Sequence, residues 1–399
     1  MKIPITKPCF SEEERKAILE PLESGWLVQG PKVAEFERLF AEFIGTKYAI
    51  ATTSCTTALH LSLIGLGVGP GDEVIVPSFT FVATANAIEY TGATPVFCDI
   101  NLDTLNIDIE QILKKISRRT KAILPVHLFG LSAEMRPIMD IAERYGLHVI
   151  EDAACGLGSY YHGKHVGTFG DVGCFSFHPR KAITTGEGGM IVTGDQNLMI
   201  TFKSLRDHGA SKSDLGRHVD LGGSILPAFN QLGYNYRLTD IQGALGVAQM
   251  KAVAKIVTAR RERAERYNQI LFSEAWIKTP NCPEGSIHSY QSYVCLLKPE
   301  RPSMKLEQLD MGQISLLHEK RNQLMRQMVE KGLGVRQGTH AVHTLGYYKK
   351  KYRIGPEDYK NSWIAENLSV TLPLYAQMTD DEQDYVIQEL KKCAASLEY

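Results

Sequence analysis

The sequence predicts an α/β protein: a three-layer sandwich with a mostly parallel central sheet and helices on each face, followed by a smaller α+β domain. Three observations carry this. From about residue 33 to 250, amphipathic segments alternate with short apolar runs. The runs are near-continuously apolar, which marks strands covered on both faces. Beyond 250 a long helical stretch ends the alternation.

Taken in order, VAEFERLFAEFIG, TTALHLSLIGLG, VATANAIEYTG, IEQILKKIS and AEMRPIMDIAERYG carry apolar residues three and four apart, the helical period. Between them, EVIVP, TPVFCDI, KAILPVHL, LHVIED, GCFSF and GMIVT are short, rich in β-branched residues and bounded by Gly, Pro or Asp, so they read as strands. TDIQGALGVAQMKAVAKIVTARRERAERYNQILF reads as one long helix leaving the large domain. We place that domain at residues 1–254 and the smaller one at 255–399. In the latter, SYVCLLK reads as a strand, HEKRNQLMRQMVEKG as an amphipathic helix and DDEQDYVIQELKKCAASLEY as a terminal helix. The Gly-, Ser- and Asp-rich stretch 210–229 reads as a surface loop, and 299–313 is polar without a clear period.

The 399 residues are 44% hydrophobic and 22% charged, with a formal net charge of −1. That is the composition of a globular protein, without the charge excess that draws nucleic acid or an anionic membrane. The N-terminal MKIPITKPCFSEEERKAILE lacks the apolar core of a secretory signal. No apolar run approaches the roughly 20 residues that span a bilayer. Eight cysteines are scattered with no Cys-x-x-Cys pair, a pattern of reduced thiols in a cytoplasm with neither a disulfide framework nor a metal site. A nicotinamide-dependent dehydrogenase would fit the α/β pattern, but the Gly-x-Gly-x-x-Gly turn after the first strand is missing.

In open α/β sheets, ligands sit beyond the carboxyl ends of the strands, so the polar residues ending each run are the ones to inspect. Asp152 closes LHVIED. Further on, GCFSFHPRKAITTGEGGMIVT frames Lys181 between a strand, a glycine cluster and another strand. A lysine amine, a carboxylate and phosphate donors are what pyridoxal 5′-phosphate (PLP) chemistry needs. The carboxylate keeps the pyridine nitrogen protonated, worth about 1.4 kcal/mol for each unit of pKa. Lys181 and Asp152 are the candidates for the imine and the pyridine contact.

The run EDAA…VGTFGDVGCFSFHPRKAITTGEGGMIVT resembles the signature of the DegT/DnrJ/EryC1/StrS family, sugar aminotransferases of PLP fold type I. GWLVQGPKVAEFERLFAEFIGTKYAIAT, TTALHLSLIGLGVGPGDEVIVPSFTFVATANAI and GYNYRLTDIQGALGVAQM are similar to further family segments, in family order. The resemblance is strong over about residues 10–255 and recurs weakly at LPLYAQMTDDE.

The resemblance implies that Lys181 holds PLP as a Schiff base and, once freed, moves the proton during catalysis, its pKa lowered by partial burial. It implies that Asp152 pairs with the pyridine nitrogen and that Ser176 donates to the phosphate. Cys55 and Thr56 stand where the family begins a helix and binds phosphate, as helix N-termini favour anions. Phe81 matches the ring that stacks on the pyridine face. Asn235 matches a residue reaching the phosphate from a neighbouring subunit, which implies a homodimer. Cys155 stands where relatives place Gln or His against the ring oxygen. For the sugar, GVRQGTHAVHTLGYY offers only His340 and His343, with Glu187 of TGEGG as a further candidate; His178 and His127 read as packing or hydrogen-bonding residues. The implied reaction moves an amino group from an amino acid, L-glutamate by resemblance, leaving 2-oxoglutarate, to a nucleotide-linked keto-sugar, a 4-keto-6-deoxyhexose. A non-nucleotide keto-cyclitol acceptor and a catalytically silent PLP-binding regulator are the alternatives.

Overall fold

A computed structural model describes residues 1–211, 227–299 and 304–397 of the chain. Its centre is a seven-stranded sheet of Tyr48–Thr52 (β1), Glu73–Pro77 (β2), Thr94–Cys98 (β3), Thr120–Ile123 (β4), His148–Asp152 (β5), Val172–Ser176 (β6) and Gly189–Thr193 (β7). The spatial order is β1-β7-β6-β5-β4-β2-β3. From β6 to β3 every pairing is parallel, and β7 and β1 close that side antiparallel. All five residues of EVIVP and of GMIVT are buried, as double-sided cover requires. Alternate residues feed opposite faces: Ile191 packs with Leu59, Leu63 and Phe202, while Met190 and Val192 pack with Phe36, Phe40 and Phe175.

Helix Pro31–Ile44 (α1) buries Val33, Phe36, Phe40 and Ile44, a three- and four-residue stripe, against this sheet. Its other neighbour is the long helix Asp240–Leu271, numbered α4 below. Between α1 and α4 come Cys55–Gly65 (α2) and Ala83–Tyr90 (α3), both used in the site. The α1–α4 approach is close because α4 offers glycine: a Cβ on Gly246 would lie 2.7 Å from the Phe36 ring. Asp240, 2% exposed, then takes the N–H groups of Gly30, Lys32 and Val33 at 2.8, 3.0 and 3.0 Å. An anion there satisfies donors that α1 cannot satisfy itself.

The C-terminal half forms a second core around the sheet of Ile277–Lys278, Tyr293–Leu297 and Ser369–Leu372, in that spatial order with Tyr293–Leu297 central. Helices Met311–Glu330 (α5) and Asp380–Ala395 (α6) cover it. Residue 254 falls inside α4, whose Val247, Met250 and Val253 join the first core and whose Ala264, Tyr267 and Leu271 join the second. The N-terminus also packs on the second core, with Ile3 bridged to Leu333. His340–Ala341 pairs antiparallel with Phe79–Thr80 and so ties the later half to the β2–α3 connection.

Helix α5 begins before the expected HEKRNQ. Asp310 and Gln313 form a capping box, and Ile314 and Leu317 start the buried stripe that Arg321, Leu324 and Met328 continue. Of the expected loop 210–229, residues 212–226 lie outside the described residues, as do 300–303 of the unpatterned 299–313 stretch; at the loop's base Ala210 bridges Phe229.

Candidate active site

The carboxyl ends of β5 and β6 open on a cavity of about 520 Å³, within the range of small-molecule sites. Asp152 is the last residue of β5, Ser176 the last of β6, and Lys181 follows in the next turn. All three line the cavity, together with Cys55, Thr56, Phe81, Cys155 and Glu187. The structure therefore gathers most of the candidate residues at one place.

Consecutive strand residues point to opposite sides, and this separates the carboxylates of Glu151 and Asp152. Glu151, fully buried, accepts from His127 Nε2 at 2.8 Å and from the N–H groups of Gly167, Phe169 and Gly170 at 2.6, 2.7 and 2.8 Å. Burial alone would raise its pKa, but His127 and these N–H groups hold it below the ordinary carboxylate range. Glu151 and His127 are structural. Asp152 is served more thinly: Thr84 Oγ1 donates to Oδ2 at 2.8 Å and the Ala154 N–H to Oδ1 at 3.1 Å. Burial wins here and the Asp152 pKa is raised. A buried carboxylate with unused acceptor positions suits a cationic partner.

Lys181 Nζ donates to Cys155 Sγ at 3.2 Å. The expected downward pKa shift is corrected. Burial does act to lower it, yet Cys155 above all, and Asp152 after it, act the other way and the net shift is upward. Burial, and Asp152 after it, push the Cys55 thiol well above its ordinary range, so the thiol is inert. What Cys55 contributes is backbone. It is the first residue of α2, behind the Ser54–Thr57 capping box. In that box Ser54 Oγ takes the Thr57 N–H at 3.1 Å. The N–H groups of Cys55 and Thr56 are among those with no partner inside the helix, as an anion site needs. Gly189 makes room for this helix end, since a Cβ there would lie 2.3 Å from the Ser54 carbonyl carbon.

Three candidates lie elsewhere. His343 is fully buried in the large core, its Nδ1 2.5 Å from Ser78 Oγ and its ring against Tyr359; burial lowers its pKa to about 4. A substrate contact is not open to it. His340 also does not line the cavity; its Nδ1 is 3.3 Å from Glu366 Oε1, on the strand paired with Thr80. Asn235 is bridged to Asp207 outside the cavity, beside the stacked rings of Tyr234 and Tyr236. Sequence reasoning missed Thr84, Arg180 and Arg336. Thr84 lies in a helix with nothing local to mark it, and neither arginine was named as a candidate.

A buried carboxylate, a part-buried amine 29 residues on and an unsatisfied helix N-terminus on one cavity are the groups that a phosphate-bearing cofactor reactive toward amines requires. Comparison with known proteins narrows this. Residues 8–391 match the DegT/DnrJ/EryC1/StrS aminotransferase family, and the chain belongs to that family. It is 37% identical to the spore coat polysaccharide biosynthesis protein SpsC of Bacillus subtilis, over 98% of this chain and 96% of that one. Among solved structures, PseC of Helicobacter pylori, an aminotransferase involved in the biosynthesis of pseudoaminic acid, superposes with a TM-score of 0.88 at 28% identity, covering 99% of this chain and 100% of PseC. The PLP form of Spr1654 from Streptococcus pneumoniae gives a TM-score of 0.88 at 27% identity, covering 99% of each chain. The fold is PLP fold type I, and the protein is a PLP-dependent sugar aminotransferase.

Proposed function

We propose that the enzyme transfers an amino group from L-glutamate to a nucleotide-linked keto-sugar, a 4-keto-6-deoxyhexose, in amino-sugar biosynthesis. The observation that carries this is that Lys181 and Asp152 line one cavity of about 520 Å³. The polysaccharide and pseudoaminic acid pathways of SpsC and PseC support the substrate class.

In this reading the N–H groups of Cys55 and Thr56 and the Ser176 hydroxyl hold the cofactor phosphate, and Phe81 covers the ring face. Asp152 would keep the ring nitrogen protonated, and Cys155, in contact with Lys181, would face the ring oxygen. Bound PLP supplies an electron sink that acidifies the C–H bond next to the substrate amine. Lys181 would anchor the cofactor through its amine and, when free, would take that proton and return it. Glu187 is left to meet the sugar. Asn235 lies outside its own cavity and reaches the phosphate of a second subunit, making the active unit a homodimer. The eight free cysteines suit a reducing, cytoplasmic setting.

The test is incubation of the purified holoenzyme with L-glutamate and a panel of nucleotide keto-sugars and keto-cyclitols, read by mass spectrometry. Nitrogen transfer to a nucleotide-linked 4-keto-6-deoxyhexose is expected. Transfer to cyclitols alone, or to no sugar, rejects the proposal.

A further inference from the structure

Three glutamine side chains reach the turn that carries Lys181. Gln291 Nε2 donates to the Arg180 carbonyl at 2.6 Å. Gln249 Oε1 accepts the Thr184 N–H at 3.1 Å, and Gln242 Nε2 donates to the Glu187 carbonyl at 2.7 Å. Gln242 and Gln249 stand on α4. Gln291 comes from the other half of the chain, just before the strand Tyr293–Leu297 of the second core. Of the three, it alone lines the cavity.

The bond from Gln291 falls on the peptide that joins Arg180 to Lys181. The N–H of that peptide donates to the His178 carbonyl at 2.8 Å, so both of its polar ends are held. A lysine side chain is a flexible four-carbon stem, and its amine is placed only where its root is fixed. Gln291 is fixed in turn. It is 7% exposed, and Ser292 Oγ donates to its Oε1 at 3.1 Å. Arg260 of α4, buried, donates from Nε to the Tyr290 carbonyl at 3.1 Å and from Nη2 to the Gln291 carbonyl at 2.6 Å. Tyr290 itself takes a left-handed backbone, φ +49°, which a non-glycine residue keeps only where its surroundings impose it. Gly130 lets the segment cross closely: a Cβ there would lie 2.4 Å from Ser289 Oγ and 3.0 Å from the Gln291 backbone nitrogen. The Gln291 amide is thus presented from a rigid mount.

From this we infer that Gln291 is a positioning residue: it acts through the Arg180–Lys181 peptide to aim Lys181 Nζ, and so couples the C-terminal core to the chemistry. The inference rests on the assignment of Lys181 to PLP made above. The amine lies at the far end of the side chain from the held peptide, against Cys155 Sγ at 3.2 Å, so a small tilt of that peptide is magnified at Nζ. A reacting group displaced by about 1 Å can lose roughly a hundredfold in rate. The bond is to a backbone carbonyl, so replacing Gln291 with a neutral residue alters no charge on the cavity wall.

The experiment follows covalent attachment of added PLP to the full chain by stopped-flow absorbance of the lysine-bound cofactor. The affinity for PLP is measured separately by equilibrium dialysis in the Lys181→Ala background. Gln291→Met keeps the length of the side chain and removes the donor. It should slow attachment by about ten- to a hundredfold and lower kcat by a similar factor. It should leave KM for the amino donor and the dialysis affinity in the Lys181→Ala background unchanged. Gln291→His, which keeps an N–H donor, should recover part of the rate. Ser292→Ala releases Oε1 with a smaller disturbance and should slow attachment by about two- to fourfold; it carries the test if Gln291→Met does not fold. Attachment at the wild-type rate in Gln291→Met, or in Ser292→Ala where that variant carries the test, overturns the inference. So does a loss of PLP affinity in the Lys181→Ala background as large as the loss of rate, which would make Gln291 part of the general framework of the site. Failure of the Lys181 assignment is distinct: it would show as no lysine-bound absorbance in the wild type.

Discussion

Thr84→Val probes the support of Asp152 with almost no change of shape. A hydroxyl has one proton to give. Thr84 Oγ1 lies 2.8 Å from Asp152 Oδ2, 2.9 Å from Thr80 Oγ1 and 3.0 Å from the Phe81 carbonyl. The charged acceptor takes that proton and Thr80 donates in turn to Thr84, giving a relay Thr80–Thr84–Asp152. Valine removes the donor from a buried carboxylate and leaves the Thr80 hydroxyl short of a partner. A hydrogen bond to a charged group contributes about 1.5–3 kcal/mol, so the cofactor-free protein should lose that much stability at neutral pH. In urea unfolding the midpoint should fall at constant slope. The pH dependence has a definite sign. Burial raises the Asp152 pKa in the folded state, so the group binds its proton more tightly folded than unfolded. Its ionisation therefore costs stability as pH rises through the folded value, and Thr84 limits that cost. Without Thr84 the folded Asp152 pKa rises further, so the penalty of Thr84→Val should be full above the variant's folded value and fade as pH falls from there through the wild-type one, where the carboxyl is protonated in both. Thr84→Ser, which keeps the hydroxyl, should behave as wild type. An equal penalty in the acidic and neutral ranges would refute the relay and place Thr84 in ordinary packing.

Two further outcomes follow from the site. Lys181→Ala should abolish both amine transfer and the absorbance of the lysine-bound cofactor; normal turnover in this variant would remove Lys181 from the chemistry. Gly189→Ala drives a methyl to 2.3 Å from the Ser54 carbonyl carbon, so the N-terminus of α2 must shift. Weaker PLP binding by at least about tenfold is expected from equilibrium dialysis, the equivalent of losing one or two charge-assisted hydrogen bonds to the phosphate; unchanged affinity would show that this helix end does not hold the cofactor.

What could be read from the sequence divides along physical lines. The parallel strands were legible because double-sided burial writes apolar runs into the chain, and Asp152 because a strand end places it at the sheet's carboxyl edge; Ser176 was reached through the family resemblance. Lys181 was legible because a strand, a turn and glycines frame it within a few residues. Strand β1 was not singled out: three of the five residues of YAIAT are alanine or threonine, and its place beside β7 is set by a partner far along the chain. Helix α5 was cut short because its first turns carry polar residues on the exposed side, while the capping box that starts it lies in a stretch without period.

The His340 and His343 candidates failed for a related reason. The sequence shows that two histidines sit in one segment, but not that this segment turns back to pair with Phe79–Thr80 and sends His343 into the core. That same turn brings Arg336, a few residues earlier, to the cavity. A site assembled from two distant parts of a chain shows only the half that has a local motif. Here the visible half is the cofactor machinery on β5 and β6. The hidden half comes from the C-terminal segment, where Arg336, Gly338 and Thr339 reach the same cavity with no local motif to announce them.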